Sequence, residues 1–242
     1  MQKVSFIVGG NKLAACIFFP ENPKEKNPAI LFVHGWTSAM ERSFQYAEKL
    51  SKLGYICFLF DMRGHGQSEG DIKIFTIKEF LDDVLTAYDF LLNIEVVDKE
   101  NISAVGSSFG GYLVTLLSEK RKLKNLALRV PADYKNEDFD KSKYEYSGAE
   151  NLEIVAWRKK VKKPNDTFAL SAISKFDGEI LIIESEKDTI VPHETIENYI
   201  NAVKNKQKLT HRVMKGAPHS IKEGKFRDEV TKILEEWFSK KL

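Results

Sequence analysis

The feature that most constrains the fold of this chain is a series of short apolar runs that alternate with segments of helical periodicity. The runs contain few polar positions, as expected for strands buried on both faces of a mainly parallel sheet. They extend over Ala29 to Val33, Tyr55 to Phe60, Ile102 to Val105, Leu126 to Val130, Ile180 to Glu184 and Lys208 to Met214. The alternation predicts an α/β fold, with helices on both faces of a central sheet.

The segments between these runs carry apolar stripes at the helical repeat. One stripe comprises Phe80, Leu81, Val84, Leu85, Tyr88, Leu91 and Leu92, and another comprises Phe226, Val230, Ile233, Leu234, Trp237 and Phe238. At the N-terminus, Lys3 to Val8 and Leu13 to Phe19 flank Gly9-Gly10-Asn11, which predicts a β-hairpin. The 242 residues, of which 43% are hydrophobic, suffice for one sizeable core, so we expect a single domain over residues 1–242.

Composition argues against several classes of partner. The 37 basic residues nearly balance the 35 acidic ones and are dispersed, so no nucleic-acid partner is indicated. The longest basic cluster, from Arg158 to Lys163, is typical of a solvated helix face. No apolar run approaches the length of a membrane span or of a signal peptide, so we expect no membrane partner. Cys16 and Cys57 lie in apolar runs as small core residues, which fits a reducing cytoplasm.

The regular alternation fails in one long stretch between two of the strand candidates, which we call the inserted segment (residues 131–177). Long insertions in compact domains are usually lids or binding elements, so we expect a cap over the site. Six of its aromatic residues are candidates for lining an acyl or aryl pocket, or for holding the cap together. They are Tyr134, Phe139, Tyr144, Tyr146, Trp157 and Phe168.

The sequence Gly106-Ser107-Ser108-Phe109-Gly110 follows the run that ends at Val105 and leads into a predicted helix. In this strand-turn-helix setting a G-x-S-x-G pattern exposes the serine hydroxyl at a sharp turn, and small flanking residues let strand and helix approach closely. The helix N-terminus also favours negative charge beside the serine, and the backbone N–H of Phe109 is a predicted donor to an oxyanion. Ser108 is therefore the candidate nucleophile.

Together with two further motifs, the elbow resembles the α/β-hydrolase superfamily. These motifs are Val33-His34-Gly35-Trp36 and Asp61-Met62-Arg63-Gly64-His65-Gly66-Gln67-Ser68. The resemblance covers nearly the whole chain except the first hairpin and the inserted segment, and is strongest to small capped esterases such as the feruloyl/cinnamoyl group. It implies that the N–H of Trp36 is the second oxyanion-hole donor and that Asp61 structures its loop.

A serine hydrolase also needs a base and an acid. His219 lies in a loop after the last strand candidate and before the last helix, where it can reach over the sheet edge toward Ser108. Asp188 directly follows another strand candidate, which gives the chain order Ser, Asp, His that this fold requires. Asp133 also follows a strand candidate and is the rival acid.

These residues predict two-step acyl transfer on a small-molecule carboxylic ester, without a metal or organic cofactor. The same machinery can act on thioesters, small peptides or amides, because the pocket selects the leaving group. A hydrolase-like protein that binds a ligand without useful turnover is the alternative from another class. The residues do not indicate an oligomeric state.

Overall fold

The computed structural model of the chain describes residues 1–146, 152–221 and 224–242. Eight strands form one open sheet in the order β1-β2-β4-β3-β5-β6-β7-β8. They are β1 (Gln2–Val8), β2 (Asn11–Phe18), β3 (Asn27–Val33), β4 (Ile56–Phe60), β5 (Val97–Ser107), β6 (Asn125–Arg129), β7 (Glu179–Lys187) and β8 (Leu209–Pro218). From β4 across to β8 every neighbouring pair is parallel, whereas β1 and β2 are antiparallel. The predicted α/β fold with a mainly parallel sheet is confirmed.

Helices cover both faces of the sheet. They are α1 (Phe44–Lys52), α2 (Ile77–Leu92), α3 (Phe109–Lys120), α4 (Leu152–Arg158), α5 (Phe168–Lys175), α6 (His193–Ala202) and α7 (Lys225–Phe238). Residues of α1 and α7 share one hydrophobic core with one face of the sheet, and residues of α2, α3, α5 and α6 share the other core. Two separate cores on opposite faces are what strands buried on both sides require.

The predicted N-terminal hairpin is present. β1 and β2 pair from Gln2 opposite Ile17 to Val8 opposite Asn11. Gly9 and Gly10 form the two-residue turn with φ values of 53° and 82°. Positive φ at both central residues matches the right-handed twist of the flanking strands, which explains the glycine pair.

The order of the strands creates a crevice between two loops. After β3 the chain adds β4 on one side, and it later adds β5 on the other side of β3. The loops at the carboxyl ends of β3 and β5 therefore diverge and leave a crevice, which is where open α/β sheets bind ligands. These two loops carry His34-Gly35-Trp36 and Ser108.

The inserted segment lies between β6 and β7 and contains short helices, with α4 and α5 among them. It is tied to the start of α2 by backbone hydrogen bonds from Lys78 N to Phe139 O (3.0 Å) and from Lys143 N to Phe75 O (2.9 Å). Its action as a cap over the site stays a prediction. Among the helices in the described ranges, none combines the length and apolar character needed to cross a membrane.

Candidate active site

Ser108 occupies a strained turn between β5, which ends at Ser107, and α3, which begins at Phe109. Its backbone has φ 53° and ψ −114°, a conformation that costs a residue with a side chain about 1–3 kcal/mol. Neighbouring backbone holds it there, because Ser108 N donates to Arg129 O (2.9 Å) and Ala132 N donates to Ser108 O (3.1 Å). Such strain persists only where the surroundings impose it, which is typical of a functional position.

The two glycines of the motif allow the strand and the helix to touch. A Cβ atom on Gly106 would lie 2.4 Å from the carbonyl oxygen of Gly110, and one on Gly110 would lie 2.2 Å from that of Val33. Any larger residue would push α3 away from the sheet. The interpretation of these glycines as spacers agrees with the geometry.

The loop after β3 lies against the serine. A Cβ atom on Gly35 would be 3.5 Å from Ser108 Cβ. Trp36 follows Gly35 and Phe109 follows Ser108, so both predicted oxyanion donors belong to the two segments that meet here. The Trp36 ring packs edge-on against Phe109, with centroids 5.7 Å apart.

His34 orders this loop as a neutral imidazole. Its Nδ1 lies 2.8 Å from Gly35 O, and its Nε2 accepts a hydrogen bond from Met62 N at 3.1 Å. Accepting at Nε2 leaves the ring proton on Nδ1. Burial lowers the pKa of His34 to about 3, so the ring stays neutral. Both of its nitrogens already have backbone partners.

Asp61 has the loop-structuring contacts that the resemblance implied. Its two carboxylate oxygens accept hydrogen bonds from Met40 N (2.7 Å) and Gln67 N (2.9 Å). Burial raises its pKa. The carboxylate thereby joins the loop after β4 to the turn that precedes α1.

The structure brings Asp188 and His219 together at the carboxyl ends of β7 and β8. His219 Nδ1 lies 2.6 Å from Asp188 Oδ2. Asp188 Oδ1 accepts hydrogen bonds from the N–H groups of Ile190 (2.9 Å) and Val191 (2.8 Å), so both carboxylate oxygens are engaged. With Nδ1 facing the carboxylate, Nε2 of His219 is the nitrogen available as a base.

The remaining histidines have other partners. His65 Nδ1 lies 3.0 Å from Arg63 O in a buried loop. His193 at the start of α6 and His211 in β8 both contact Glu184, at 2.6 and 2.9 Å. These contacts give each of the three histidines a structural role away from Ser108.

Asp133, the rival acid, lies in a different environment. Its Oδ1 accepts a hydrogen bond from Tyr134 N (3.0 Å), and Lys162 Nζ lies 4.0 Å from its Oδ2. Burial raises its pKa to about 6. Arg158 also packs here and donates to the carbonyl oxygens of Asp133 (3.3 Å) and Ile190 (3.0 Å).

This arrangement corrects the interpretation of the basic cluster. The side chains of Arg158 and Lys162 are buried around Asp133 and do not form a solvated face. A buried carboxylate needs nearby cations, and here those cations come from a distant part of the sequence. A run of charged residues in the sequence does not reveal such a contact. Lys159, Lys160 and Lys163 are exposed, as predicted.

Ser108 and His219 line one cavity of about 340 Å³. It lies on the face of the sheet that α1 and α7 cover. Its apolar wall comprises Val33, Val105, Ala127, Ile183, Val230 and Leu234, and its polar side includes Arg42, Ser43, Tyr46 and Arg129. The volume is near the lower end of the range for small-molecule sites.

The candidates whose side chains the structure describes do not line this cavity, and Tyr134 and Phe139 belong to the core on the opposite face of the sheet. Tyr134 packs on Tyr112 (4.8 Å between centroids), and Phe139 packs on Phe168 (5.4 Å). Lys162 Nζ lies 4.0 Å from the Trp157 ring centroid, and Tyr144 is exposed. The Tyr146 side chain falls outside the described residues. Contact of these residues with substrate stays a prediction.

Arg129 is a site residue that the sequence analysis missed. It ends β6 and donates to Ser107 Oγ (3.1 Å), Ser185 Oγ (3.4 Å) and His219 O (2.5 Å). The signal was present in the sequence, since a cation follows the apolar run Leu126 to Leu128 at the sheet edge where such folds gather their sites. Arg129 joins the strands that carry the serine and the aspartate to the backbone of the histidine.

The sheet, the strained serine turn and the paired aspartate and histidine define the α/β-hydrolase class of serine hydrolases. The chain belongs to the prolyl oligopeptidase family, which matches residues 41–242. It is 28% identical over 195 residues to the human mitochondrial palmitoyl-protein thioesterase ABHD10, a match that covers 71% of this chain. The chain spans 60% of the length of that relative.

Solved structures share the fold over nearly the whole chain. Est1E from Butyrivibrio proteoclasticus, solved with ferulic acid, has a TM-score of 0.74 at 20% identity and covers 97% of both chains. Mouse alpha/beta hydrolase domain-containing protein 10 has a TM-score of 0.70 at 18% identity and covers 100% of both chains. The resemblance to the α/β hydrolases, and to small esterases among them, is confirmed.

Proposed function

We propose that the protein hydrolyses carboxylic esters through an acyl-enzyme formed on Ser108, with His219 as general base and Asp188 as the orienting acid. The observation that carries this proposal is the 2.6 Å contact between His219 Nδ1 and Asp188 Oδ2, at a cavity that His219 shares with Ser108. A histidine held by its Nδ1 in this way keeps Nε2 available to take a proton from a serine nucleophile.

In the proposed first step, Ser108 Oγ attacks the ester carbonyl carbon while His219 Nε2 takes the hydroxyl proton. The N–H groups of Trp36 and Phe109 stabilise the tetrahedral oxyanion, and removal of one such donor typically costs about 10² to 10³ in turnover. The intermediate collapses, and His219 returns the proton to the leaving alcohol. Water then attacks the acyl-enzyme by the same route and releases the acid and Ser108.

The size of the cavity favours small acyl or alcohol groups. A site of about 340 Å³ with an apolar wall suits a compact aliphatic or aryl group better than a long chain. The solved structure of Est1E with ferulic acid, a small aromatic acid, agrees with this size. We also propose a cytoplasmic location for the protein.

Thioester hydrolysis is the second candidate, because the human relative is named as a palmitoyl-protein thioesterase. The proposed triad would act on either acyl carbon, so the leaving group and the pocket decide between them. Comparison of kcat/KM for 4-nitrophenyl butyrate and for a butyryl thioester of similar size measures this preference directly.

The test is turnover of 4-nitrophenyl butyrate by wild type, Ser108→Ala, His219→Ala and the double variant. Each single change should lower kcat by about 10³-fold or more, and the double change should add little because the groups act as a unit. Ser118→Ala is a matched control, since Ser118 lies on α3 and its hydroxyl donates to Thr115 O at 2.7 Å. Near-wild-type turnover by folded Ser108→Ala would falsify the proposal.

A further inference from the structure

Arg129 carries a partly buried positive charge beside the proposed catalytic residues. It lines the cavity together with Ser108 and His219. The acceptors of its three hydrogen bonds are the hydroxyls of Ser107 and Ser185 and the carbonyl of His219, and all three are neutral. These contacts place the guanidinium but do not balance its charge.

The described residues provide no carboxylate within ion-pair distance of Arg129, and its Nε has no hydrogen-bond acceptor among them. The charge of Asp188 raises the pKa of Arg129 from beyond ion-pair distance. However, one oxygen of Asp188 accepts two backbone hydrogen bonds and the other contacts His219. Burial lowers the pKa of Arg129, yet a guanidinium stays protonated in proteins. A guanidinium that is partly withdrawn from water and has no counterion is unfavourable.

Arg63 is an arginine with a structural role in the same chain, and its environment can be compared with that of Arg129. Arg63 is buried, and its Nε and Nη2 lie 2.7 and 2.6 Å from Asp83 Oδ1. The charge of the Arg63 guanidinium is therefore balanced by a carboxylate of the protein itself. Arg129 differs because the space next to it is a cavity and not an acidic side chain.

The rest of the cavity defines what can fill that space. Its wall is apolar at Val105, Ala127 and Ile183, and Arg42 adds a second positive charge to the lining. A molecule with a compact apolar body and one negatively charged end matches this combination. Arginine also binds carboxylates in a planar, often bidentate geometry.

We infer that Arg129 binds a free carboxylate of the substrate, so that the preferred substrates are small esters that carry an anionic group. This inference rests on the proposed function, because it assigns the substrate class of the same site. The carboxylate is bound and not transformed, so the acyl-transfer steps are unchanged. Arg129 is a specificity-determining residue that also positions the backbone of His219.

Two pairs of esters, each matched in size, test the inference on both sides of the scissile bond. For the acyl side they are 4-nitrophenyl hydrogen glutarate and its methyl ester, and for the leaving group they are 4-acetoxybenzoate and its methyl ester. Wild type should prefer the anionic member of one pair in kcat/KM. Arg129→Gln should lower kcat/KM for that ester by about 30-fold or more relative to its neutral partner.

The comparison within a pair separates binding from support of the fold, because loss of the His219 contact affects both esters equally. Arg129→Lys should restore part of the preference, since it keeps the charge. Arg121→Gln is the control, because Arg121 pairs with Asp89 and does not line the cavity. Equal kcat/KM for both members of both pairs in wild type, or an equal loss in Arg129→Gln, overturns the inference.

A binding measurement distinguishes failure of this inference from failure of the proposed function. Glutarate should raise the Tm of Ser108→Ala, and the same concentration should not raise that of Ser108→Ala/Arg129→Gln. If glutarate raises the Tm only when Arg129 is present, and the wild-type protein hydrolyses no ester, the anion site is supported and the proposed esterase activity is contradicted. If glutarate raises the Tm equally without Arg129, the anion site is contradicted and the proposed esterase activity is not affected.

Discussion

Asp188 contacts His219 through one carboxylate oxygen, at 2.6 Å, and accepts two backbone hydrogen bonds through the other. The backbone N–H groups of Ile190 and Val191 thereby fix the plane of the carboxylate. This arrangement resembles that of a triad acid, which holds the imidazole in one tautomer and stabilises the imidazolium.

The first prediction compares the two candidate acids. Asp188→Asn should lower kcat by about 10⁴-fold, as loss of the acid does in a serine-protease triad. Asp133→Asn should leave kcat within about threefold, because a change remote from the reacting atoms removes no interaction specific to the transition state. Steady-state kinetics on 4-nitrophenyl butyrate measures both, with circular dichroism to verify the fold. The reverse pattern assigns the acid to Asp133.

The second prediction concerns the contact between β5 and α3. Gly110→Ala should destabilise the protein by about 1–3 kcal/mol, since its Cβ atom would meet Val33 O at 2.2 Å and overpacked positions carry costs of this size. Helix propensity alone would favour alanine by about 1 kcal/mol. Urea unfolding measures the change.

Gly111→Ala is the neighbouring control, because its Cβ atom would have its nearest contact at 3.1 Å, with Pro131. It should cost less than Gly110→Ala. If Gly110→Ala is as stable as wild type, the close approach of strand and helix is not required.

The third prediction uses Lys143, which is buried in the inserted segment against three aromatic rings. Its Nζ lies 4.4 Å from the Trp36 ring centroid, 5.1 Å from Tyr134 and 5.4 Å from Phe109. Burial, with a smaller effect of Arg158, lowers its pKa from 10.5 to about 7. Between these pH values the unfolded state binds more protons, so the free energy of unfolding should rise with pH.

This contribution has a slope of at most about 1.4 kcal/mol per pH unit and should be absent in Lys143→Met. Urea unfolding at pH 7.5 and 8.5 measures it as the difference in slope between wild type and variant. Lys159→Met is the control, since Lys159 is an exposed lysine from the same segment. Equal slopes in wild type and Lys143→Met would show that Lys143 titrates as a solvated amine.

The sequence predicted those features that depend on local pattern. Apolar runs located the parallel strands to within a few residues, except that β5 begins at Val97 instead of Ile102. Its polar start pairs with β3 only at Val97 opposite Asn27, so no apolar run marks it. The serine turn, the glycine spacers and the loop after β3 were also visible, because each depends on residues close in sequence.

Features that depend on distant residues were not visible. The burial of Arg158 and Lys162 follows from Asp133, which lies more than twenty positions away. The apolar wall of the cavity comes from α7 and the ends of four strands, and not from the described aromatic residues of the inserted segment. The position of Arg129 became interpretable only when Ser107, Ser185 and His219 were found around it.

The most direct test of the central claim is the site at which a fluorophosphonate probe forms its adduct. An activated serine hydroxyl attacks the phosphorus and displaces fluoride, whereas an ordinary serine reacts slowly. Mass spectrometry of the digested wild-type protein should place one adduct on Ser108, and His219→Ala should label far more slowly. An adduct on another residue, or no labelling of folded wild type, would contradict the assignment of Ser108 as the nucleophile.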